Sequence, residues 1–561
     1  MIAFTIGIEK VPTSLYPTIM QASLQLFTAS SGKLSAKVVF DNNSVRHLHS
    51  TVNPEAEADL YQDIHWYGNL IVFAGIGLGW HVKRMLSKLP AHVSCIVIDY
   101  FKICTNHAAE TLFAGSTNRV LYISAEDVAQ DTLSGFLASV DPGSLQVVRH
   151  PASIDCFRDF YESLVDEIAR RFVPRPPRQG SAVKKALMYF GNYFLEEETR
   201  RALRATGIAA VPFEYNTCRD SLDYEASLSK MIQKEKPDFI LSINMKGFDG
   251  NGETGRIAER FGVPLVIWFV DDPRPILLSN RIHIRPHMTA LSWERDHCRL
   301  LTAAGFDKAE YVPLACDPAL FTDTGPTSRA AALGFVGTSM VDRFAGNIRD
   351  KFLWSDGLVP LVEALAGKLC ADPAYPVYES IPNQAKALGI RLAFSDERNL
   401  TWLAAYIVHH ASMKKRKAAI QALLPQGIET FGDPEGWKKL FGGAVITHPD
   451  VDYRHGLASV YKRIAININV TSCQMPTAVN QRVFDIPMTG SFVISDKQND
   501  LLELFGPSEI ATYESLEDLQ EKVRFYLANE AERGRITKLA QKRILGEHTY
   551  VHRMQKIMSL L

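Results

Sequence analysis

Short apolar runs recur along the chain, and most are followed by a turn and then by a stretch with the apolar spacing of a helix. Strands that alternate with helices in this way predict parallel sheets covered by helices. The pattern therefore predicts an α/β chain built from Rossmann-like domains. The predicted strands include residues 70–74, 96–98, 185–190, 239–243, 265–270, 332–336, 427–431, 444–447 and 464–470.

Two breaks divide this series. Residues 174–180 are rich in proline, which forbids a helix and stiffens a linker, and residues 322–327 form a second polar break. A chain of 561 residues exceeds the size of a single core, so about three domains are expected. The predicted parts are a Rossmann-like domain at 1–172, a second α/β domain at 181–325, a third at 330–545 with a helical insertion at about 352–425, and a C-terminal helix at 546–561.

Composition narrows the classes of partner. The 61 basic and 62 acidic residues leave a formal charge of -1, so no global field attracts nucleic acid or an anionic membrane. The eight cysteines have no C-x-x-C spacing, which argues against a zinc site or a disulfide framework and indicates a reducing cytoplasm. Because neither a signal peptide nor a run of eighteen apolar residues is found, we predict a cytoplasmic protein without a transmembrane segment.

A glycine-rich turn follows the predicted strand at 70–74. Gly75, Gly77 and Gly79 open a helix, and Asp99 ends the next strand. This is the layout of a dinucleotide or S-adenosylmethionine loop, in which the helix N-terminus favours anions and the acid binds ribose. The spacing is G-x-G-x-G and not G-x-G-x-x-G, so we favour a tight turn without an essential cofactor.

Two carboxylates follow the apolar strand at 265–270. Asp271 and Asp272 stand at its carboxyl end, where ligands bind in doubly wound folds, and Pro273 is expected to hold the loop open. One carboxylate is a candidate general base for an attacking hydroxyl, or the pair orients sugar hydroxyls. A solvated turn or a helix cap is the alternative interpretation.

The first strand of the third domain ends in a second candidate site. Gly337, Thr338 and Ser339 follow it, with Arg343 beyond. Backbone amides and hydroxyls at such a turn hold a diphosphate, and an arginine neutralises it. A surface βα turn is the alternative.

Residues 480–496 read as helix, glycine turn and strand. Arg482 and Asp485 lie three apart, which places them on one face of the helix, and Gly490 is suited to end that helix in a left-handed conformation. A paired arginine and aspartate near the end of a sheet suit a ligand that carries both phosphate and hydroxyls. A nucleotide-sugar is such a ligand.

Two polar runs are expected to be structural. His409–His410 and Lys414–Lys417 lie within a predicted helix, and we expect both to face solvent, with no role in metal or nucleic-acid binding.

Across residues 181–561 the chain resembles the CgeB-like, spore-coat type glycosyltransferases of the GT-B superfamily, which have two facing Rossmann-like domains. The segments that carry the resemblance are, in order, residues 268–273, 335–337, 460–467, 482–496 and 548–553. In GT-B enzymes the C-terminal domain binds the nucleotide-sugar, the N-terminal domain presents the acceptor, and the last helix crosses back between them.

The resemblance implies residue roles. Asp485 matches an acid that many retaining GT-B enzymes place on the donor ribose, and Tyr461 and Asn480 fall within the donor-binding segments. In those enzymes the acid is the second glutamate of an E-x7-E pattern. The first position of the pattern is Thr477 here, and this departure bears on the donor sugar and on the stereochemical outcome.

We therefore predict a bacterial glycosyltransferase that moves a sugar from a UDP- or GDP-type donor to a hydroxyl of a glycan or protein, in protein or cell-surface glycosylation. No D-x-D signature in a suitable loop calls for a metal ion, so positive side chains are expected to neutralise the diphosphate and no cofactor to be required. Two alternatives stay open: an S-adenosylmethionine- or NAD-dependent enzyme that uses the N-terminal glycine loop, and a non-catalytic scaffold of GT-B shape.

Overall fold

The structure is a computed structural model that describes residues 22–61, 66, 68–127, 130–141, 145–172, 184–285, 288–325, 329–341 and 348–561. The predicted linker at 174–180 and the candidate residue Arg343 lie outside the described residues. Within the described part, no helix combines the length and the apolar character needed to span a membrane.

Strands and helices alternate through most of the chain, as the apolar pattern predicts. The strands are β1 (Ala22–Thr28), β2 (Leu34–Phe40), β3 (Val45–His47), β4 (Leu70–Ala74), β5 (Ser94–Ile98), β6 (Val120–Ile123), β7 (Leu145–Arg149), β8 (Lys185–Tyr189), β9 (Ala209–Phe213), β10 (Phe239–Ile243), β11 (Leu265–Phe269), β12 (Thr289–Ser292), β13 (Lys308–Tyr311), β14 (Ala331–Val336), β15 (Ile428–Phe431), β16 (Ile446–His448), β17 (Ile464–Asn469), β18 (Val493–Asp496) and β19 (Ala511–Tyr513).

The α-helices are α1 (Trp80–Leu86), α2 (Lys102–His107), α3 (Gln130–Ala138), α4 (Pro151–Cys156), α5 (Arg158–Phe172), α6 (Glu196–Ala205), α7 (Ser221–Glu235), α8 (Glu253–Arg260), α9 (Pro273–Asn280), α10 (Arg295–Ala303), α11 (Val359–Ala371), α12 (Val377–Ala387), α13 (Glu397–Leu423), α14 (Pro434–Phe441), α15 (Leu457–Arg463), α16 (Arg482–Met488), α17 (Asn499–Leu504), α18 (Leu516–Ala528), α19 (Glu530–Glu547) and α20 (Tyr550–Leu560). A π-helical turn, Ala108–Leu112, follows α2, and 3-10 turns lie at Ala56–Tyr61, Tyr215–Thr217, Arg281–His283, Asp356–Leu358 and Leu424–Gln426.

The backbone forms two compact units. Unit 1 comprises residues 1–182, 213–238 and 253–263, and unit 2 comprises the remainder. Helices α7 and α8 therefore belong to unit 1, although strands of unit 2 flank them in sequence.

Unit 1 contains a parallel sheet of four strands in the order β6-β5-β4-β7 and a separate antiparallel sheet β1-β2-β3. Strands β4 and β5 are buried along their whole length, which explains their continuous apolar sequence. A buried ion network ties α7 and α8 to the rest of the unit, because Arg149 pairs with Glu162 of α5, Glu225 of α7 and Glu253 of α8.

Unit 2 has two lobes, each built on a six-stranded parallel sheet. The strand order is β13-β12-β11-β10-β8-β9 in the first lobe and β16-β15-β14-β17-β18-β19 in the second. Each order reverses direction once, so each sheet is doubly wound and has its ligand crevice at the carboxyl ends of its strands. The second lobe carries α11, α12 and α13 between β14 and β15, at the position of the predicted helical insertion.

The last helix returns to the first lobe. Helix α20 packs on α6, and a short parallel bridge joins Thr549 to Cys316. Arg553 of α20 donates hydrogen bonds to the carbonyls of Pro313 and Leu314, at 2.8 and 3.0 Å. Two doubly wound lobes with a terminal helix that crosses back are the arrangement that the sequence predicts, and the GT-B fold class is confirmed.

Candidate functional site

The turn after β14 is the centre of the candidate donor site. Gly337 has φ +154°, and a Cβ there would lie 2.9 Å from Nη2 of Arg482, so the backbone approaches the guanidinium closely. The backbone N–H of Ser339 donates to Oδ2 of Asp433 at 2.8 Å, and its hydroxyl donates to the same oxygen. The Ser339 hydroxyl therefore serves the turn and is not directed at a ligand.

Arg482 begins α16 and reaches this turn from the neighbouring strand connection. Its Nε donates to the carbonyl of Val336 at 2.9 Å, and its guanidinium also contacts the hydroxyl of the buried Tyr461. The side chain is half-buried. The positive charge of Arg482 is thereby fixed at the carboxyl end of β14.

Arg416 of α13 reaches the same turn from the other side. Its Nη1 donates to the carbonyl and the hydroxyl of Thr338, at 2.8 and 3.2 Å. Its Nε is buried without a hydrogen-bond partner among the described residues. Burial, and after it the positive charge of Arg482, lower the pKa of Arg416 to about 9.

The expectation that Lys414–Lys417 face solvent is wrong for two of these residues. Arg416 is only 4% exposed, and Lys415 donates to Oδ2 of Asp496 at 2.6 Å. The sequence held one signal: Arg416 stands four residues before Ile420 and four after Ser412, on the buried face of α13. A charged residue at helical spacing from buried residues is itself indicated to be buried.

Two guanidiniums therefore converge on one glycine turn. Among the described residues, neither Arg416 nor Arg482 forms an ion pair with a carboxylate within 4 Å. Guanidinium groups match the oxygens of phosphate in geometry and charge. This part of the second lobe is suited to hold a doubly charged phosphate group.

Asp485 lies one turn further along α16, and it is nearly inaccessible at 1% exposure. Its Oδ2 accepts a hydrogen bond from the hydroxyl of Tyr453 at 3.1 Å, and the thiol of Cys316 also contacts the carboxyl group. Burial raises its pKa well above the usual range. Its Oδ1 is buried without a hydrogen-bond partner among the described residues, so in this conformation neither oxygen of Asp485 faces solvent.

Asn480 supports the backbone around α16. Its side-chain oxygen accepts from the N–H of Arg482 at 3.1 Å, and its amide donates to Oδ1 of Asn469 at 3.0 Å. Gly490 follows α16 with φ +80°, as a left-handed helix end requires. Of the predicted donor residues, the structure thus brings Gly337, Thr338 and Arg482 to one point, with Tyr461, Asn480 and Ser339 behind them.

Asp271 follows β11 in the first lobe and lies in a polar cluster. Its Oδ2 accepts from Asn244 at 2.8 Å and from the hydroxyl of Tyr193 at 3.2 Å, and Gln474 of the second lobe also donates to it. Burial raises its pKa to about 6, against the lowering effect of these donors and of Lys246. A carboxylate that titrates near neutrality is suited to accept a proton from a hydroxyl.

Asp272 has a different role from its neighbour. It caps α9 by accepting from the N–H of Arg274 at 3.0 Å, pairs with that arginine's side chain at 3.2 Å, and accepts from Tyr378 of α12 at 2.7 Å. The expectation that Pro273 holds the loop open is wrong, because α9 begins at Pro273, where a fixed φ suits the first helical position. The helix-cap alternative therefore describes Asp272.

A short chain of contacts links Asp271 to the two guanidiniums. The backbone N–H of Cys473, next to Gln474, donates to the hydroxyl of Ser412 at 2.9 Å. Ser412 stands one helical turn before Arg416 on α13. The loop after β17 thus touches both the first-lobe carboxylate and the helix that carries Arg416.

Glu294 was not singled out from the sequence, although it joins the two lobes. The side chain is fully buried, and its two oxygens accept from the N–H and hydroxyl of Thr477 at 2.9 and 2.6 Å and from the N–H of Ala478 at 2.9 Å. Its position just after β12 is the one available signal. The Thr477 hydroxyl, at the position where a glutamate would complete the E-x7-E pattern, is thereby occupied.

The glycine loop of unit 1 is closed by the protein itself. Oδ2 of Asp99 accepts from the N–H groups of Ile76 and Gly77, at 2.8 and 2.9 Å. A Cβ on Gly77 would lie 2.4 Å from Nε2 of His49. The loop amides and the acid that the alternative enzyme would need for a dinucleotide or S-adenosylmethionine thus bind each other.

A histidine cluster beside this loop has the spacing of a metal site. Ligand atoms of His49, Glu57 and His150 lie within 4.8 Å of one another, in a cavity of about 560 Å³. Nε2 of His49 accepts from the N–H of Leu78 at 2.9 Å, so the neutral ring carries its proton on Nδ1, 3.1 Å from Glu57. His49 therefore has no lone pair left for a cation in this arrangement.

A family model described as glycosyl transferase-like matches residues 413–559. The match includes Arg416, Arg482 and Asp485, and it ends within α20. The chain therefore contains a glycosyltransferase-like domain, and the prediction of a glycosyltransferase is confirmed at this level. No curated protein matches the chain.

The solved structures that match this chain have low sequence identity to it. Phage T4 β-glucosyltransferase with UDP-glucose is 10% identical, with 66% of this chain and 96% of that chain covered and a TM-score of 0.38. Anabaena Alr3699/HepE with UDP and glucose is 12% identical, with 67% and 99% covered and a TM-score of 0.39. Sucrose-phosphate synthase from Thermosynechococcus elongatus is 9% identical, with 67% and 98% covered and a TM-score of 0.41.

Proposed function

We propose that this protein transfers a sugar from a nucleoside diphosphate sugar, of UDP or GDP type, to a hydroxyl of a glycan or protein. The observation that carries the proposal is the convergence of Arg416 and Arg482 on the Gly337–Thr338 turn, together with a first-lobe carboxylate whose pKa is about 6. A diphosphate leaving group needs positive charge and an attacking hydroxyl needs a proton acceptor. Unit 2 supplies both.

In the proposed reaction, the acceptor oxygen forms a bond to the anomeric carbon of the donor sugar. The bond between that carbon and the diphosphate oxygen breaks, and its electron pair remains on the diphosphate. Asp271 takes the proton of the acceptor hydroxyl, while Arg416 and Arg482 neutralise the charge that develops on the leaving diphosphate. We assign the acceptor to the first lobe, within residues 181–325, and the donor to the second, within 330–545.

Further assignments belong to this proposal. We infer that Gly337, Thr338, Ser339, Tyr461 and Asn480 shape the donor pocket around the two arginines. We propose that Asp485 meets the donor ribose after the side chains that bury it, Tyr453 among them, have moved. Arg343 is proposed as a further diphosphate contact.

The proposal extends to the biological setting. The ordered segments between residues 268 and 553 support a place among the CgeB-like glycosyltransferases, which suggests a bacterial protein that acts in protein or cell-surface glycosylation. All eight cysteines are unpaired, which is usual for a protein of a reducing cytoplasm.

The test of the proposed function is donor binding followed by product analysis. Calorimetry with UDP and GDP is carried out on the full chain, on Arg482→Ala and on Asp485→Asn, and mass spectrometry then follows incubation with a panel of nucleotide-sugars. We expect binding of one nucleotide and a loss of affinity in Arg482→Ala. Unchanged affinity in both variants would remove the nucleotide assignment, and absence of any nucleotide binding would favour the non-catalytic scaffold.

A further inference from the structure

Two cysteines lie near each other at the loop after β17, which contacts both lobes. Cys370 lies near the end of α11 in the helical insertion, and Cys473 lies in the loop after β17. Both side chains pack in one cluster of the helical insertion, with Cys473 in its core and Cys370 against it. Adjacent positions of α13 hold both residues, since Cys370 Sγ donates to the carbonyl of Ala411 at 3.4 Å and Ser412 accepts from the N–H of Cys473.

The two thiols have unequal surroundings. Cys370 is partly exposed, whereas Cys473 is 4% exposed. The hydrogen bond from Cys473, followed by the charges of Lys414 and Lys415, lowers the pKa of Cys370 to about 7, while the pKa of Cys473 is raised. About half of Cys370 is therefore thiolate at neutral pH, against a few per cent for an ordinary cysteine.

We propose that Cys370 and Cys473 form a redox modification site, at which a low-molecular-weight disulfide such as glutathione disulfide converts the two thiols into one intramolecular disulfide. The Cys370 thiolate attacks a sulfur of the oxidant, which forms a mixed disulfide and releases one thiolate. The Cys473 thiol then loses its proton and attacks Cys370 Sγ, and the second thiol of the oxidant leaves. The two cysteines are oxidised, and one molecule of disulfide is reduced to two thiols.

The new bond would act on the cleft through the loop after β17. Disulfide formation shortens the distance between the sulfurs to about 2.05 Å, which draws Cys473 toward α11. Gln474, the next residue, then moves relative to Asp271, to which it donates. We expect oxidation to slow sugar transfer. This consequence rests on the proposed function, whereas the thiol chemistry does not.

The first test maps the thiols without any activity assay. The full chain is incubated at pH 7 with graded ratios of glutathione to glutathione disulfide, alkylated and digested, and its peptides are analysed by mass spectrometry. We expect a linked peptide pair that contains Cys370 and Cys473 and disappears on addition of dithiothreitol. Cys370→Ser should give none. Absence of this pair in the wild-type chain, across the whole range of ratios, would overturn the proposal.

The second test compares rates of alkylation at pH 7. Cys298 is a matched control because it is also partly buried, but burial raises its pKa to about 11. Thiolate fraction alone favours Cys370 by more than a thousandfold, and its lower intrinsic nucleophilicity reduces this to on the order of 100-fold. Equal labelling of the two cysteines by iodoacetamide would contradict the proposed reactivity of Cys370.

The third test measures whether oxidation changes the rate of sugar transfer. Transfer by the wild-type chain should fall on oxidation and recover on reduction, whereas Cys370→Ser should keep its rate under the same oxidant and Cys298→Ser should behave as the wild type does. A linked pair without any change in rate would separate the modification site from control of the reaction. Loss of transfer without a linked pair would reject the site and leave the proposed function intact.

Discussion

Replacement of Arg416 by glutamine removes one of the two guanidiniums at the proposed diphosphate site and preserves much of the side chain's length. A charge-assisted hydrogen bond contributes about 1.5–3 kcal/mol, so the loss of one such contact should weaken the binding of UDP or GDP by about 10- to 150-fold. The free energy of unfolding of the free protein should increase in this variant. A pKa of about 9, well below the ordinary arginine value, corresponds to on the order of 5 kcal/mol of unfavourable burial at about 1.4 kcal/mol per unit, which the hydrogen bonds to Thr338 partly offset.

The same argument predicts a pH dependence. Because the folded-state pKa of Arg416 is depressed, its buried charge destabilises the free protein fully below pH 9, and the penalty declines only gradually as the pH rises from that value toward the ordinary arginine pKa. A bound diphosphate requires the charged form. Affinity for the nucleotide should therefore be constant near neutrality and fall by up to about tenfold per pH unit above 9.

Calorimetric titration of the wild type and Arg416→Gln between pH 7 and pH 10 measures both effects, and chemical denaturation measures stability. The base of the nucleotide also titrates in the alkaline range, and the difference between the two proteins removes that contribution. Lys417→Gln is the matched control, since Lys417 is exposed on the same helix and the charge change is identical. Equal losses of affinity in the two variants, or no loss in Arg416→Gln, would refute the assignment of Arg416 to the donor diphosphate.

Three further predictions concern the cleft. Asp271→Asn should lower the rate of transfer by about 10²- to 10⁴-fold with nucleotide affinity retained. The kcat/KM of the wild type should fall tenfold per pH unit below about 6, because the carboxylate of Asp271 gains its proton. A rate independent of pH in that range would contradict the role of base. Gly337→Ala should weaken nucleotide binding because its Cβ would meet a guanidinium at 2.9 Å, whereas Gly367→Ala on α11, with open space around it, should not; calorimetry compares them. Glu294→Gln should cost about 2 kcal/mol of stability, measured by denaturant unfolding, because the charged acceptor of three hydrogen bonds from the second lobe becomes neutral; an unchanged unfolding midpoint would show that this contact between the lobes contributes little.

The strands predicted from the sequence are mostly apolar runs between turn residues, whereas β3 (Val45–His47) and β13 (Lys308–Tyr311) have no such run. The prediction at 239–243 matches β10, and those at 265–270 and 185–190 differ from β11 and β8 by one residue. The assignment of α7 and α8 to unit 1 was not predictable, since it depends on ion pairs between residues far apart in sequence, such as Arg149 with Glu225.

The candidate site was predictable only in part. Residues at the carboxyl ends of strands, such as Asp271 and Gly337, follow from the topology of parallel sheets. The burial of Arg416 could not be predicted, because the neighbouring lysines give its helix the composition of a solvent-exposed face. The burial of Asp485 also depends on tertiary contacts, which a helix spacing cannot reveal. Sequence patterns thus locate the edge of a sheet, whereas the partners across a cleft are set by packing.

The bridge between Cys316 and Thr549 has a mechanical consequence. The N–H of Cys316 donates to the carbonyl of His548 at 3.0 Å, and the N–H of Tyr550 donates to the carbonyl of Cys316 at 3.1 Å. The polypeptide therefore passes between the lobes twice, side by side, as a two-ply ribbon. Such a pair of strands bends more easily than it twists. We therefore expect the two lobes of unit 2 to open by a hinge motion about one axis when the donor enters and the product leaves.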